Sequence, residues 1–522
     1  MKKKIALLTV SLALYGWSAN AQTPSSSYQV VGSNLIGASE LQPGVKRTES
    51  KLSFKSSEAS LVEGFNWAKQ QSMSSAFEND PVGPWYEAAE PGRDDFCILG
   101  VANEAMGAHA LGLERHNLNM LRRIAENISE ARDWCSLWEI NRYNLPPPVD
   151  YKNDAEFWYN LPANFEIIDL CYRMYVWTGD RTYVDDPVFL NFYDRTVTDY
   201  VERWGLGIDQ IMKRPRLLNI RGMVDPQERF QSNRGIPGYN EGDSDYVLGV
   251  DVLATQYVAY KAYSFIQGEH GKKELAETYE KKAGEVRTLV NNTWWNGGEQ
   301  YFYGILNKDH KFAGHMGSWL LYRDIVDDGP KMQSALKESE SELLRSTSEN
   351  SSSDYTCEVM YKYGNPDVAT KRMIEIGRGI RTRREYPEVP FSWIGTLVNG
   401  TMGITIEASS PLQAWVEGFW VETIVRTLSG LGTNISWAEL NNLPIRSNEV
   451  TVRQEGIRKT MFINQIGPAL IWRAVFPGSH NILNVNGKPV KANIEDGTLG
   501  RKNSWVRVTV GPGGTTTVEV PK

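Results

Sequence analysis

The feature that most constrains the fold is a helical hydrophobic pattern that runs from about residue 58 to residue 432. Apolar residues recur there at spacings of three and four, which is typical of α-helices that bury one face. Roughly ten to twelve such segments follow one another, separated by loops rich in glycine, proline, tryptophan and acidic residues. Clear examples are ANFEIIDLCYRMYVWTG, DVLATQYVAYKAYSFIQ, KELAETYEKKAGEVRTLVNNTWW and PLQAWVEGFWVETIVRTLSG. The pattern predicts a large, mainly α-helical body.

Helices in this number, joined in pairs by loops, suit an (α/α)6 toroid, in which six helical hairpins form an inner and an outer ring. The inner helices of such a toroid are apolar on most of their faces. The segment 411–431 carries apolar residues on more than one narrow stripe and is predicted to be an inner helix. An irregular α-solenoid is the alternative, and the long, unequal loops disfavour it.

After about residue 432 the pattern changes to an alternation of apolar and polar residues, as in NEVTVRQEGIRKTMFINQ and SWVRVTVGPGGTTTVEVPK. This alternation predicts antiparallel β-strands. The predicted fold is therefore mainly α, an (α/α)6 toroid with a small C-terminal antiparallel β domain. The predicted parts are a signal peptide at 1–21, a lead-in segment at 22–57, the barrel at 58–434 and a β-sandwich-like domain at 435–522.

The chain begins with three lysines, an apolar run from Ile5 to Trp17, and the sequence Ala19-Asn20-Ala21. This arrangement is typical of a secretory signal peptide with a small-residue cleavage site. The apolar run is too short for a membrane-spanning helix of the mature protein. We therefore expect a periplasmic or secreted protein without membrane insertion.

Charge and metal-ligand spacing exclude several classes of protein. The net charge of −7 argues against nucleic acid as a partner, because phosphates require a basic surface. The four cysteines lack a C-x-x-C spacing and the six histidines form no H-x-x-x-H pair, so we expect no metal enzyme and no cofactor. His109 and His116 lie two helical turns apart, and a structural role is predicted for them. A structural calcium ion among the acidic loops stays open, as does the oligomeric state.

Three loops combine acidic and aromatic residues just before predicted helices, at 83–100, 221–251 and 381–411. Hydrolysis of a glycosidic bond requires one protonated carboxyl group and one ionised carboxylate on opposite sides of the sugar. Two acids from distant loops can be held in that way, although single acids also favour helix N-termini for capping and dipole reasons.

Aromatic rings in these loops would stack on sugar rings, and arginines would bind hydroxyl groups or a uronate carboxylate. Trp85 and Trp393 are flanked by small residues and proline, so we expect both to be exposed in a cleft. The candidate substrate-binding residues are Trp85, Tyr86, Glu87, Arg93, Asp94, Glu228, Tyr239, Glu241, Arg384, Glu388 and Trp393.

The helical region and the order of its loops resemble the six-hairpin glycosidase superfamily, which includes trehalases, glucoamylases, glycogen-debranching enzymes and α-L-rhamnosidases. The stretch GITIEASSPLQAWVEGFWVETIVRTLSGLG resembles the superfamily pattern in which a glutamate precedes an inner helix and acts as the general base. The resemblance implies that role for Glu407. The stretch NEGDSDYVLGVD is similar to the loop that carries the general acid, which implies Asp243 or Asp245.

The leading hypothesis is a secreted, exo-acting glycoside hydrolase that cleaves oligosaccharides or larger plant or host glycans with inversion of configuration. The first alternative is a polysaccharide lyase or an unsaturated-uronyl hydrolase, since both also use α/α toroids. The second alternative is a non-catalytic glycan-binding protein. The sequence does not distinguish the sugar, the linkage or the anomer.

Overall fold

The structure is a computed structural model that describes residues 49–89, 93–215, 234–240, 246–345, 354–378, 386–408, 414–416, 419–421 and 424–522. Helices occupy most of these residues up to 401. They are α1 (Ala59–Ser74), α2 (Ile98–Ala110), α3 (Glu114–Glu126), α4 (Ala163–Thr178), α5 (Thr182–Asp185), α6 (Pro187–Arg195), α7 (Val201–Arg203), α8 (Val250–Glu269), α9 (Lys273–Thr293), α10 (Gly317–Tyr322), α11 (Pro330–Arg345), α12 (Asp354–Tyr363), α13 (Pro366–Gly377) and α14 (Glu388–Thr396). Within the described ranges, no helix combines the length and the hydropathy needed to cross a membrane.

Most strands that precede residue 404 are short and pair within the loops between helices. They are β1 (Ser53–Ser56), β2 (Ala76–Phe77), β3 (Trp85–Tyr86), β4 (Asp95–Cys97), β5 (Glu139–Asn141), β6 (Tyr151–Asn153), β7 (Glu156–Phe157), β8 (Tyr159–Asn160), β9 (Arg234–Ile236), β10 (Tyr246–Gly249), β11 (Trp295–Asn296), β12 (Tyr301–Phe302), β13 (Ile305–Asn307) and β14 (Phe312–Ala313). The exception is β1, which joins the C-terminal sheet by pairing with the strand at 438–445.

The C-terminal part consists of β15 (Ile404–Glu407), β16 (Ala414–Val416), β17 (Phe419–Val421), β18 (Ile424–Leu428), β19 (Ala438–Ile445), β20 (Asn448–Glu455), β21 (Lys459–Ile466), β22 (Leu470–Pro477), β23 (Ile482–Val485), β24 (Lys488–Lys491), β25 (Asn493–Asp496), β26 (Lys502–Val510) and β27 (Thr515–Glu519). One sheet has the order β1-β19-β20-β21-β27-β23-β24, and a second has the order β15-β18-β22-β26-β25. The two sheets share a core in which the rings of Phe462 and Trp472 stack at 5.3 Å.

The helices divide into buried and half-exposed ones, as the hydrophobic pattern predicts. Helix α8 buries 15 of its 20 residues, whereas α9 buries only five of 21, along one stripe. The buried helices contact one another in the order α2, α4, α8, α10, α12, α14 and back to α2, which is a closed cycle. Helices α1, α3, α9, α11 and α13 each pack outside one or two members of this cycle. A helical body with a C-terminal sheet part is therefore confirmed.

The prediction of an inner helix at 411–431 is wrong. The described parts of that segment form strands, and β18 pairs antiparallel with β15 and parallel with β22. The run Ile424–Leu428 carries β-branched residues, which suit a pleated sheet better than a helix. The sheet begins at Ile404, because the chain turns at Gly403, where φ is +60° and a Cβ atom would lie 1.6 Å from the Leu428 carbonyl oxygen. The parallel pair also means that the C-terminal part is not purely antiparallel.

The sheet part is joined to the helical body at the ends of α2 and α4. Arg446, in the turn after β19, donates from its backbone amide to the Trp177 carbonyl (2.7 Å) and from Nε to the Val176 carbonyl (3.2 Å). These bonds satisfy carbonyl groups that the last turn of a helix leaves free. On α2, Nε2 of His109 lies 3.1 Å from the Pro444 carbonyl oxygen. His109 is only 2% exposed, which agrees with the structural role predicted for it.

We predict that replacing His109 by glutamine makes the protein less sensitive to acid. Burial lowers the pKa of His109 to about 4, whereas an unfolded histidine titrates near ~6.5. Between these values the unfolded chain binds more protons than the folded one, so stability that is complete above pH ~6.5 is lost as the pH falls toward 4. In urea unfolding, the His109→Gln variant should lose less free energy of unfolding than the wild type between about pH 7 and about pH 4.5.

The matched control for this experiment is His310→Asn, because His310 lies exposed in a turn with a φ of 55° that asparagine accepts. This variant should follow the wild-type acid dependence. Equal acid sensitivity of the His109→Gln variant and the control would contradict the account.

Candidate active site

A polar cavity lies among the buried helices, where five of the six members of the cycle contribute side chains. Its volume of about 30 Å³ is enough for one water molecule. The residues that line it are Asn103 and Met106 on α2, Arg173 on α4, Tyr322 on α10, Tyr355 and Glu358 on α12, and Glu388, Ser392, Gly395, Thr396 and Asn399 on or just after α14. Such a polar, partly enclosed space inside a helical body is a candidate binding site.

Glu388 is the first residue of α14 and lies at the wall of this cavity. Its Oε1 accepts a hydrogen bond of 2.6 Å from Nδ2 of Asn103. Burial raises the pKa of Glu388 to about 7, although the Asn103 hydrogen bond acts in the opposite direction. A carboxyl group with this pKa exists in both protonation states near neutral pH, which is what general acid–base catalysis requires.

A second group of carboxyl groups lies beside the start of α2. Asp95 is 2% exposed, and burial, reinforced by the nearby Glu139 carboxylate, raises its pKa to about 8. Arg93 offsets part of this charge, because its Nη1 lies 3.1 Å from Oε1 of Glu139. The Cys97 thiol interacts electrostatically with Glu139, Asp95 and Glu388. The carboxyl groups beside α2 therefore lie near the start of α14.

Glu104 lies one residue beyond Asn103 on α2 and is fully buried. Neither of its carboxyl oxygens has a hydrogen-bond partner among the described residues. Burial, with the Glu388 and Glu87 carboxylates as further causes, raises its pKa well above the ordinary value. Glu104 therefore holds its proton more strongly than an ordinary glutamate does, and it lies close enough to Glu388 to interact with it electrostatically.

An ion-pair network joins α4 to the end of α10. Nη2 of Arg323 contacts both oxygens of Glu166, at 2.7 and 2.5 Å, and Nη1 lies 3.0 Å from Oδ2 of Asp169. Nε of Arg173 lies 3.0 Å from the same Asp169 oxygen. All four side chains are largely buried, and a buried guanidinium with bidentate carboxylate contacts holds its neighbours rigidly.

Asp251, the second residue of α8, holds the short described stretch 234–240 in place. Its Oδ2 accepts a hydrogen bond of 2.5 Å from the backbone amide of Tyr239, and its Oδ1 accepts one of 3.0 Å from the amide of Val252. Burial raises the pKa of Asp251 to about 7. Because Gly238 and Gly249 both lie against this carboxyl group, the site has no room for larger side chains there.

No protein-family model matches the chain, and no curated protein matches it. Solved structures do. The chain is similar to α-L-rhamnosidase from Dictyoglumus thermophilum, with 13% identity and a TM-score of 0.57, over 91% of this chain and 51% of that one. It is also similar to a GH78 family rhamnosidase of Bacillus sp. GL1, with 11% identity and a TM-score of 0.52, over 81% of this chain and 41% of that one.

A third match is the α-L-rhamnosidase from Aspergillus terreus, with 11% identity and a TM-score of 0.52, over 89% of this chain and 50% of that one. The chain therefore shares the fold of these solved structures. The chain spans about half the length of these enzymes or less. At these identities the likeness concerns the fold alone, so the chemistry must be argued from the residues of this chain.

Three aromatic residues predicted to bind substrate lie in the core. Trp85 is 1% exposed and donates from Nε1 to Oδ2 of Asp80 at 2.7 Å. Trp393 is 0% exposed and donates to the Met373 carbonyl at 3.0 Å. Tyr86 is also fully buried. The expectation that Trp85 and Trp393 are exposed in a cleft is wrong, because both indole rings fill space between helices and satisfy their N–H groups there.

Glu407 does not line the polar cavity among the buried helices. It is the last residue of β15, and its carboxylate contacts Nη1 of Arg473 and, at 3.5 Å, Nη2 of Arg507. Both arginines belong to neighbouring strands of the same sheet. A general base at this position was inferred from a glutamate that precedes an inner helix. Glu407 instead ends a strand of the C-terminal sheet, so the structure does not support that inference.

Several predicted residues lie in the loops or outside the described ranges. Asp94 is exposed, has a φ of 56° and lies 3.5 Å from Arg142. Glu87 is buried next to Asp95 and Glu104.

Tyr239 is buried, and its ring packs at 6.2 Å from the Trp319 ring. The candidates outside the described residues are Glu228, Glu241, Asp243, Asp245 and Arg384.

The sequence analysis missed Asn103, Glu104, Glu166, Asp251 and Arg323 as candidates. The signal was present for Glu166 and Asp169, since both are charged and lie in the otherwise apolar stretch ANFEIIDLCYRMYV. No group of three or more metal-ligating side chains suited to an ion occurs among the described residues. That the protein needs no cofactor stays a prediction.

We predict that Glu388→Gln stabilises the protein at alkaline pH. The folded pKa of about 7 lies above the ordinary value of ~4.3. The folded state therefore holds a proton that the unfolded state has lost, and stability declines as the pH rises between these values. Removing the titrating group should raise the free energy of unfolding by about 1 to 2 kcal/mol near pH 8 and leave it unchanged near pH 4, when measured by urea unfolding.

The matched control is Glu407→Gln, which removes a carboxylate that is held by two arginines. This change should lower the stability at pH ~8, because Arg473 then loses its ionic partner. A Glu388→Gln variant that is destabilised at both pH values would contradict the proposed burial of a titrating carboxyl group.

Proposed function

We propose that this chain is an inverting glycoside hydrolase whose catalytic groups lie at the N-terminal ends of the buried helices. The closed cycle of helix contacts supports an (α/α)6 toroid, with α2, α4, α8, α10, α12 and α14 as its inner ring. Each of the inner helices α2, α4, α8, α10 and α12 is followed by one or more return helices that lead to the next inner helix, so the six inner helices run in the same direction and their N-terminal ends meet at one mouth. The observation that carries the proposal is a titratable carboxyl group, Glu388, at the cavity wall of this ring.

Glu388 takes the role of general base, which the sequence resemblance had implied for Glu407. Its position at the first turn of α14 places it near the positive end of the helix dipole, which favours the ionised form. The hydrogen bond from Asn103 favours the same form. An ionised Glu388 would take a proton from the water molecule that attacks the anomeric carbon, and the adjoining cavity has room for such a water.

The general acid is proposed to be Asp243 or Asp245, as inferred from the sequence. Asp245 directly precedes Tyr246, where β10 begins and leads into α8, and Asp243 lies two positions earlier in the sequence. Helix α8 is three places from α14 in the cycle of six, which is the opposite side of the ring. An acid from the segment that leads into α8 and a base at the start of α14 would flank a sugar from two sides, with the gap of about 6.5 to 9.5 Å that inversion requires.

The substrate is proposed to be an oligosaccharide or polysaccharide from which the enzyme releases terminal sugars. The alternative of a uronate lyase or unsaturated-uronyl hydrolase needs an arginine that is free to neutralise a uronate. Within the described ranges, Arg93, Arg173 and Arg323 each lie against a carboxylate of this chain instead. We also propose that residues 1–21 direct the protein to the periplasm or the exterior, where such glycans are met.

The proposal predicts release of a sugar by the mature protein from at least one member of a broad oligosaccharide panel. Glu388→Gln should lower the turnover number by about 10²- to 10⁴-fold, because the base acts only in the transition state. Glu407→Gln should stay within about threefold of the wild type, since its carboxylate belongs to the sheet. Proton NMR of the first product should show inverted anomeric configuration.

Asp243→Asn and Asp245→Asn identify the acid. The variant of the true acid should lose more activity on natural glycosides than on 4-nitrophenyl glycosides, whose leaving group needs no protonation. Loss of activity in Glu407→Gln with activity kept in Glu388→Gln would overturn the assignment of the base. Oligosaccharide binding without turnover by the wild type, unchanged in Glu388→Gln, would favour the glycan-binding alternative.

A further inference from the structure

We propose that Asn103 is a positioning residue that holds the Glu388 carboxylate in its ionised form and in one orientation. This inference rests on the proposed function, because it gives Glu388 the role of base. Nδ2 of Asn103 donates to Oε1 of Glu388 at 2.6 Å, and a hydrogen bond to an ionised carboxylate is stronger than one to a neutral acceptor. Among the described residues, Asn103 is the side chain that donates a hydrogen bond to Glu388. Both residues line the same cavity.

The helix contact that carries this hydrogen bond is unusually close. A Cβ atom on Gly107 of α2 would lie 1.9 Å from the Phe391 carbonyl oxygen of α14, so only glycine permits the observed approach. A Cβ atom on Gly395 would lie 3.4 Å from the Gly107 amide nitrogen. Ser392 adds a bond of 3.3 Å from its hydroxyl to the Asn103 carbonyl oxygen. The backbones of α2 and α14 are thus held close enough for the Asn103 amide to reach Glu388.

The groups that surround Glu388 explain why a donor is needed. The charged and titratable side chains that face this part of the cavity are Glu104 on α2, Cys97 just before α2, Arg173 on α4, Tyr322 on α10, and Tyr355 and Glu358 on α12. The guanidinium of Arg173 lies against Asp169. The Asn103 amide is therefore the described side chain that donates a hydrogen bond to Glu388 and so favours its negative charge, in opposition to burial.

The first experiment does not require a substrate. The free energy of unfolding would be measured between about pH 5 and pH 9 for the wild type and Asn103→Ala, each with and without Glu388→Gln. The difference that Glu388 makes in each background titrates with the pKa of Glu388. In the Asn103→Ala background the midpoint should move up by about one pH unit, because the ionised carboxylate has lost its donor.

The matched control is Ser392→Ala, which lines the same cavity and touches Asn103 through its backbone only. Its midpoint should equal that of the wild type. Asn103→Leu, which keeps the volume and lacks the donor, replaces Asn103→Ala if the smaller residue prevents folding. Unchanged midpoints in both Asn103 variants, or an equal shift in Ser392→Ala, would overturn the inference.

The second experiment uses the pH dependence of kcat/KM on a hydrolysed glycoside. The acidic limb reports the base of the free enzyme and should move to higher pH by the same amount in Asn103→Ala. A merely structural role of Asn103 would lower the rate at every pH and leave the limb in place, which would contradict the inference. A shifted stability midpoint supports the inference even if no glycan is hydrolysed, and that second result would count against the proposed function alone.

Discussion

The close approach of α2 and α14 is the contact on which the rest of the structure depends. It joins the first and the last buried helix of the chain, which are almost 300 residues apart, and so closes the cycle of six. Gly107 makes the approach possible, since any side chain there would collide with the Phe391 backbone. The same contact brings Asn103 to Glu388. The contact that closes the ring of helices therefore also sets the position of the candidate base.

A second constraint is the burial of several carboxyl groups within the helical body. Asp95, Glu104, Asp251 and Glu388 all have pKa values raised by burial. Such groups destabilise a folded protein at neutral pH, because the unfolded chain ionises them freely. Proteins tolerate this arrangement mainly at functional sites, where carboxyl groups must hold or accept a proton near neutral pH. The ion pairs of Glu166 and Asp169 with Arg323 compensate the charge deeper in the body.

The sequence predicted the helical body and the C-terminal strands because period and alternation are local properties. The helices at 163–178, 250–269 and 273–293 coincide with quoted amphipathic or apolar segments. The prediction for the segment 411–431 was wrong because its valine, isoleucine and threonine residues, at mixed spacing, fit both the helical period and the strand period. The strand conformation of Ile424–Leu428 depends on its pairing with β15 and β22, which local sequence patterns do not reveal.

The candidate site was less accessible to sequence reasoning, for the same reason. Glu388 was among the predicted binding residues, but its importance comes from Asn103, which lies 285 positions away. Trp85 and Trp393 have the local surroundings of exposed loop residues and are buried by partners that the sequence does not reveal. Glu407 occupies the expected place in the chain, but it forms an ion pair with Arg473 of the same sheet.

The measurement that tests the central claim most directly is a crystal structure of the Glu388→Gln variant soaked with a slowly cleaved oligosaccharide. The account predicts a terminal sugar between the start of α14 and the start of α8, with its anomeric carbon facing residue 388 across a single water molecule. A sugar bound instead against the sheet beside Glu407, with the mouth of the helical body unoccupied, would contradict it.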